Sequence, residues 1–347
     1  MQHFDLTQLH WNSTIREQLL GQGIARLPHA VLLVGPAGVG KTAFSEQLAA
    51  LLLCESISPE LSACGQCQAC RWLDAGNHPD FRRVAPDGDD EPEEGTVEKT
   101  KKRSAANIKI DQIRELEAFV FVGSHRNGNR VVLITEADAM NPSAANALLK
   151  ILEEPPSSVY FILVSSKTKS LLPTLRSRCR VIPFGPPDAA AAAAWLADAG
   201  LEKQAARYLD LAGGAPMRVA QWKEQGQLAP IDALVESLVS PPADPIALAA
   251  RWDGLLKGDG VFRMENLVEG VQRWLFDLAQ ERLAGEVRYH GGWARPKGVQ
   301  NLNPDALLAA WREINQFRRS ARHPLNQLLF LENLAAYFLR ALRPVTG

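Results

Sequence analysis

The chain is short of cysteine, of any surplus charge and of long apolar runs, and each shortage narrows what it can do. Only 5 cysteines occur in 347 residues. With no leader-like or targeting segment in view, thiols this sparse are expected to stay reduced, which points to the cytoplasm. No run has the length and apolarity needed to span a bilayer, so no membrane role is expected. Lys and Arg number 38 against 39 Asp and Glu, a formal charge of −1. A balance this even leaves no global electrostatic footprint for nucleic acid, and any DNA contact has to be local or shared with partners. What remains is ordinary globular material, 46% hydrophobic and 22% charged, long enough for two or three domains.

Against that background one segment stands out. Gly35-Pro36-Ala37-Gly38-Val39-Gly40-Lys41-Thr42 is a complete phosphate-loop motif. It follows the apolar run Ala30 to Val34, and after it Phe44, Leu48, Leu51 and Leu52 recur at helical spacing. The strand-loop-helix context that the motif requires is therefore present. Gly35, Gly38 and Gly40 free the backbone to wrap phosphates at a helix N-terminus, Lys41 can reach the β- and γ-phosphates, and the Thr42 hydroxyl suits Mg²⁺. The alternative is a glycine-rich turn of the same shape that has lost its nucleotide.

Four of the five cysteines lie directly behind this loop. Cys54, Cys64, Cys67 and Cys70 are spaced C-x9-C-x2-C-x2-C, which lets four thiolates converge from a helix end and a tight knuckle on one Zn²⁺. Four protein ligands leave no open coordination position, so such a metal is structural. Disulfides or buried free thiols are the alternatives, with Cys179 far away in either case.

Further apolar runs at Phe81 to Val84, Arg130 to Ile134, Val159 to Val164 and Arg180 to Phe184 alternate with helical segments such as Asp111 to Phe121 and Ser143 to Glu153. The alternation predicts an α/β domain with a parallel sheet over residues 1–184. Asp87 to Arg103, acids followed by Lys99, Lys101, Lys102 and Arg103 without apolar periodicity, reads as a solvated loop; its own acids weaken the alternative of a basic DNA tether. Gly185-Pro186-Pro187 ends the strands. Asp188 caps an alanine-rich helix, a second helix closes at Gly213-Gly214, and Pro216 starts a third with Arg218 in its first turn, a helical lid over 185–225. From 226 to 347 the pattern is long amphipathic helices, notably Val261 to Ala284, Pro304 to Ala321 and Pro324 to Leu342, broken by a Gly/Trp-containing connection. Aromatics there, Trp274 and Phe338 among them, read as core or subunit-contact residues rather than stacking platforms.

Three segments carry a resemblance. Cys64-Gly65-Gln66-Cys67-Gln68-Ala69-Cys70 with His78-Pro79-Asp80, Asn146 through Pro156 (NALLKILEEPP) and Leu175-Arg176-Ser177-Arg178-Cys179 together resemble the clamp-loader subunits of bacterial DNA polymerase III, and within them the delta-prime branch. The likeness is strong over about the first 220 residues and agrees in character beyond. It implies an AAA+ core with a zinc knuckle, a small helical lid, and an all-α collar that joins a ring with gamma/tau and delta subunits to load a sliding clamp on primed DNA. In motor subunits of this kind the strand equivalent to Arg130–Ile134 ends in Asp-Glu, the first supporting Mg²⁺ and the second orienting water. Here Thr135-Glu136-Ala137-Asp138 follows. A hydroxyl lacks the charge that holds Mg²⁺ against a triphosphate, so binding of ATP/Mg²⁺ is expected to be weak and hydrolysis impaired. Glu136 keeps the water-orienting position, and Asp138 is a second acid that could approach a metal. The resemblance further implies that Arg178, in Ser177-Arg178-Cys179, reaches the nucleotide of a neighbouring subunit, a role that suits a planar guanidinium, and that Ser166 and Arg218 stand at the two sensor positions. A surface arginine paired with a local carboxylate is the plain alternative for Arg178. Two other readings are a competent gamma-type ATPase and a zinc-dependent nucleic-acid-binding module; the absence of a tail beyond the collar argues against tau, and the charge pattern against the module.

Overall fold

A computed structural model of the chain describes residues 10–58, 61–86, 107–121, 128–202, 204–258, 261–321 and 326–343. The charged segment Asp87 to Arg103 lies outside these residues. The chain divides into two compact units, Met1–Pro187 and Asp188–Gly347.

The first unit is built, among the described residues, on five strands, β1 (Ala30–Val34), β2 (Phe81–Val84), β3 (Arg130–Ile134), β4 (Val159–Ser165) and β5 (Arg180–Pro183). All pairings are parallel, in the order β2-β3-β4-β1-β5. Every residue of β1 and β3 is buried, as befits central strands covered on both faces, and this is why Ala30–Val34 and the four residues after Arg130 read as unbroken apolar runs. The outer strands are shorter and carry charge: Arg82 and Arg83 on β2 and Arg180 on β5 are exposed or ion-paired, which blunts both edges against further pairing.

Helices of this unit are α1 (Ser13–Leu20), α2 (Lys41–Leu53), α3 (Gln68–Asp74), α4 (Ile110–Phe121), α5 (Pro142–Glu153) and α6 (Pro173–Arg178). Asn141 caps α5 through a 2.7 Å bond from the Ala144 amide, with Pro142 at the first helical position. Ile113, Leu116 and Val120 of α4 and Ala144, Leu148, Ile151 and Leu152 of α5 pack on Leu32, Val132, Ile134, Phe161 and Leu163 to form the core. The strand boundaries agree with the sequence expectation within a residue; α6, six residues long, is too short to display a period of its own.

The second unit contains α7 (Ala189–Asp198), α8 (Ala205–Leu211), α9 (Pro216–Glu224), α10 (Leu228–Val239), α11 (Pro245–Leu256), α12 (Met264–Ala284), α13 (Pro304–Ser320) and α14 (Gln327–Ala341). Asp188 caps α7 as expected, accepting from the amides of Ala190 and Ala191. Helix α12 packs against α13 and α11 against α14, around fully buried Trp252, Trp274 and Phe338. Half-buried ion pairs join these helices as well. Glu269 on α12 accepts from Arg218 of α9 at 2.7 Å and from Arg273 at 2.6 Å, and Arg273 also donates to the Leu211 carbonyl at 2.5 Å. The helices on either side of residue 225 are thus stitched into one interior. Asp277 accepts from the amides of Arg288, Tyr289 and His290 and lies 2.8 Å from His290 Nδ1. That clamp fixes the Gly/Trp-containing connection that carries no apolar period of its own.

Candidate nucleotide site and four-cysteine centre

The phosphate loop leaves β1 at its carboxyl end, beside the ends of β4 and β5, which is where parallel α/β sheets bind ligands. Gly35 has φ 155°, and a Cβ there would lie 2.1 Å from the Phe184 carbonyl oxygen. That oxygen is held close because the Phe184 amide donates to Val34 O at 2.7 Å, so only glycine fits the first loop position. Gly38 at φ 82° and Gly40 at φ 101° complete the turn into α2.

Lys41 opens α2 and is buried, 4% exposed. Its Nζ donates to Gly35 O at 2.8 Å, to Pro36 O at 2.5 Å and to Ser166 Oγ at 3.2 Å. Burial pushes its pKa down to about 8, with the Asp138 carboxylate partly opposing the shift. Asp138 Oδ1 in turn accepts from the Ser166 amide at 2.9 Å. Lys41, Asp138 and Ser166, read separately in the sequence, meet at one place. Thr42 is exposed in the first turn of α2. Thr135 turns its hydroxyl to the Val84 carbonyl at 3.4 Å, and Glu136 is exposed to solvent.

Helix α2 runs from Lys41 to Leu53 and is capped by Cys54. The Sγ atoms of Cys54, Cys64, Cys67 and Cys70 all lie within 4.8 Å of one another, with Cys54 and Cys67 at 4.0 Å. A tetrahedral site with Zn–S of about 2.3 Å has S–S edges of about 3.8 Å, so the four thiols need only a slight contraction to hold a zinc ion. They are too far apart for disulfides, whose S–S bond is about 2.05 Å, and all five cysteines are free. Backbone amides aim at the sulfurs: Cys64 N at Cys54 Sγ (3.3 Å), Cys67 N at Cys64 Sγ (3.3 Å) and Cys70 N at Cys67 Sγ (3.4 Å). The amides of Gln66 and Cys67 pull the Cys64 thiol down to about 6, whereas burial raises Cys54 and Cys70. A metal-free cluster therefore holds a mixture of thiol and thiolate, which a cation would resolve into four thiolates. Burial pushes Cys179 up to about 11, and it lies apart from this cluster.

His78-Pro79-Asp80 proves to be a structural joint. The Trp72 ring of α3 meets His78 edge-on at 6.0 Å, His78 Nδ1 accepts from the Asp80 amide at 3.1 Å, and Asp80 pairs with Arg130 of β3 at 3.1 Å, both side chains 3% exposed. Arg130 also donates to the Phe119 carbonyl. The knuckle is thereby anchored to the sheet.

Arg178 ends α6. Its Nη2 lies 2.5 Å from Glu153 Oε1, at the end of α5, and its Nη1 donates to Thr174 O at 3.1 Å, with about a third of the side chain exposed. Arg218 is engaged with Glu269 in the helical unit. Among the described residues no helix is long and apolar enough to cross a membrane.

A family model described as DNA polymerase III, delta subunit, matches residues 17–188, which include the phosphate loop, the cysteines and Arg178. The DNA polymerase III subunit delta' of Pseudomonas aeruginosa is 38% identical over 251 residues, 71% of this chain and 71% of that relative. The subunit delta' of Escherichia coli K12 is 35% identical over 168 residues, 48% of this chain and 46% of the relative, so that match spans about half of either protein. A DNA polymerase III subunit gamma/tau, from Mycobacterium bovis, is 34% identical over 159 residues, 46% of this chain and 25% of the relative. With more than two thirds of a relative covered at that identity, the chain belongs to the delta-prime family of DNA polymerase III subunits.

Proposed function

We propose that this chain is a non-motor subunit of a DNA polymerase III clamp loader. It would assist ATP-dependent loading of a sliding clamp on primed DNA, in a ring with gamma/tau and delta subunits. Family membership supports the setting, and one observation carries the division of labour: strand β3 is followed by Thr135, whose hydroxyl faces the Val84 carbonyl, so a neutral group stands where a carboxylate would support Mg²⁺, although Lys41 and the glycines of the loop are in place. Binding of Mg²⁺-ATP at Gly35 to Thr42 is then weak, and turnover by the isolated chain is small. The direct test is titration with labelled ATP beside a phosphate-release assay, on the chain alone and mixed with gamma subunits. Weak binding lost in Lys41→Ala with negligible turnover is the expected result; robust turnover abolished by the same substitution would make the chain a motor subunit. The position of Asp138 beside Ser166 and Lys41 is what favours that second reading.

Arg178 acts in trans in this proposal. The Glu153 pairing leaves the guanidinium partly exposed at the end of a short helix, where exchanging one carboxylate for a neighbour's γ-phosphate needs little rearrangement. Loss of such a finger lowers phosphoryl transfer by roughly 10³ or more at its own interface, and by less in an assembly whose other interfaces keep theirs. Reconstituting Arg178→Ala with wild-type motor subunits and measuring clamp- and DNA-stimulated turnover tests this, after assembly has been checked; wild-type rates would return Arg178 to a surface ion pair. The four cysteines hold one structural Zn²⁺. Residues 185–225 serve as lid and 226–347 as the oligomerising collar, a role supported by the exposure of Ile246, Leu328 and Leu329.

A further inference from the structure

We propose that Ser166 latches Lys41 inward, so that weak nucleotide binding here reflects a lysine already satisfied by its own unit as well as a missing acid. The inference deepens the nucleotide reading above and rests on it for its consequence, though the latch itself is a contact among this chain's own residues. An ammonium has three donors and no acceptor. Lys41 spends all three internally, on the carbonyls of Gly35 and Pro36 and on Ser166 Oγ. Two of these acceptors are the loop's own backbone and move with it. The third is brought from β4, and its position is fixed independently, because the Ser166 amide is held by Asp138 at 2.9 Å and the preceding Ser165 is paired in register with Val34 at the end of β1.

A phosphate arriving at the loop has to replace these acceptors. The loop carbonyls can turn away as the loop closes on its ligand, but the Ser166 hydroxyl is anchored to the sheet and competes throughout. If Ser166 instead contacted the γ-phosphate, as its sensor position implies, removing its hydroxyl would weaken binding. The latch predicts the opposite sign. Ser166 is exposed, so Ser166→Ala leaves the core intact, and Ser166→Thr restores a hydroxyl at the same place.

Two measurements on the full chain decide it. First, the acylation rate of Lys41 by trace acetic anhydride near neutral pH, without nucleotide, is read by mass spectrometry against the surface residue Lys257, 73% exposed. It should rise about fivefold in Ser166→Ala, the equivalent of one neutral hydrogen bond, and return toward wild type in Ser166→Thr. Second, Mg²⁺-ATP should bind Ser166→Ala a few-fold more tightly. An unchanged acylation rate overturns the latch, and so does a faster rate accompanied by weaker ATP binding. Faster acylation with no ATP binding by any variant upholds the latch and removes the nucleotide reading instead.

Discussion

Lys41 in the sheet unit and Asp277 in the helical unit are both buried charges, yet their surroundings treat them differently. Asp277 is 0% exposed and is enclosed by three consecutive backbone amides and the His290 ring; its partners are covalently committed to one short loop. Lys41 is held by two carbonyls of its own glycine turn, which a phosphate oxygen could replace, and by one hydroxyl from the end of another strand, which has to be displaced. Burial drives each pKa toward the neutral form, but the amides and imidazole around Asp277 outweigh it and hold that carboxyl below its ordinary range, whereas the acceptors around Lys41 do not and its pKa falls to about 8. A buried charge whose partners are fixed to one short loop is part of the scaffold, and one whose partners a ligand oxygen has to displace can be turned to binding. The four-cysteine centre shares something with each, its geometry set by backbone amides and its sulfurs close enough to share one cation.

If the contrast holds, its largest consequence is at Asp277. Replacing it by alanine leaves three amides and His290 unpaired in the interior, and unfolding of the helical unit should become easier by about 3–5 kcal/mol. Chemical denaturation followed by hydrogen exchange would localise the loss to α12 and the connection after it, and a change below about 1 kcal/mol would dissolve the distinction drawn here. Next in size is the metal. Cys67→Ser should release one zinc per chain and loosen residues 54 to 74 while the β1–β3–β4 core stays protected, since that core is closed by apolar packing. Elemental analysis with limited proteolysis reads both parts, and undiminished zinc would discard this ligand set.

Acid sharpens the comparison further. Burial holds His290 below its ordinary 6.5, and Asp277 titrates below 3.8, so the unfolded chain binds more protons than the folded one at both groups. Stability conferred on the helical unit is therefore complete above about pH 6.5, begins to fall as His290 is forced to charge, and falls again below pH 3.8. Thermal melts across this range should show the loss at α12 before the sheet, and His290→Gln should remove the upper step. The smallest effect is at Lys41: Lys41→Met takes an under-solvated ammonium out of the interior and leaves carbonyls that solvent can reach, so the sheet unit should gain about 1 kcal/mol while nucleotide binding is lost. A marked loss of stability would mean that Lys41 is scaffold after all.

Much of the sheet unit was legible because its information is local. Buried parallel strands are apolar throughout, the phosphate loop is contiguous, and the cysteines need only their spacing. The pairings that tie these parts together are not local. Asp80 and Arg130 lie 50 residues apart, and Arg218 and Glu269 51; nothing in either neighbourhood names its partner, so Arg130 read only as the start of a strand and Arg218 only as a helix-end arginine. Lys41, Asp138 and Ser166 were each singled out for other reasons, and only the parallel order of β3, β4 and β1 brings them together. The helical unit was the least legible, since amphipathic periods show that helices pack but not on what. Its division at residue 225 illustrates this: the composition changes there, while Arg218, Glu269 and Arg273 bind both sides into one interior.

Helix α2 starts at Lys41 and is capped by Cys54, so the two sites described above are the two ends of a single rod of 13 residues, about 20 Å long at 1.5 Å per residue. A continuous helix resists compression, so a displacement of its first turn by an anion at the loop would be carried to Cys54 at its C-terminal cap. Cobalt in place of zinc would then colour the far end of that rod, turning a silent structural metal into an optical gauge of whether the phosphate loop is empty or filled.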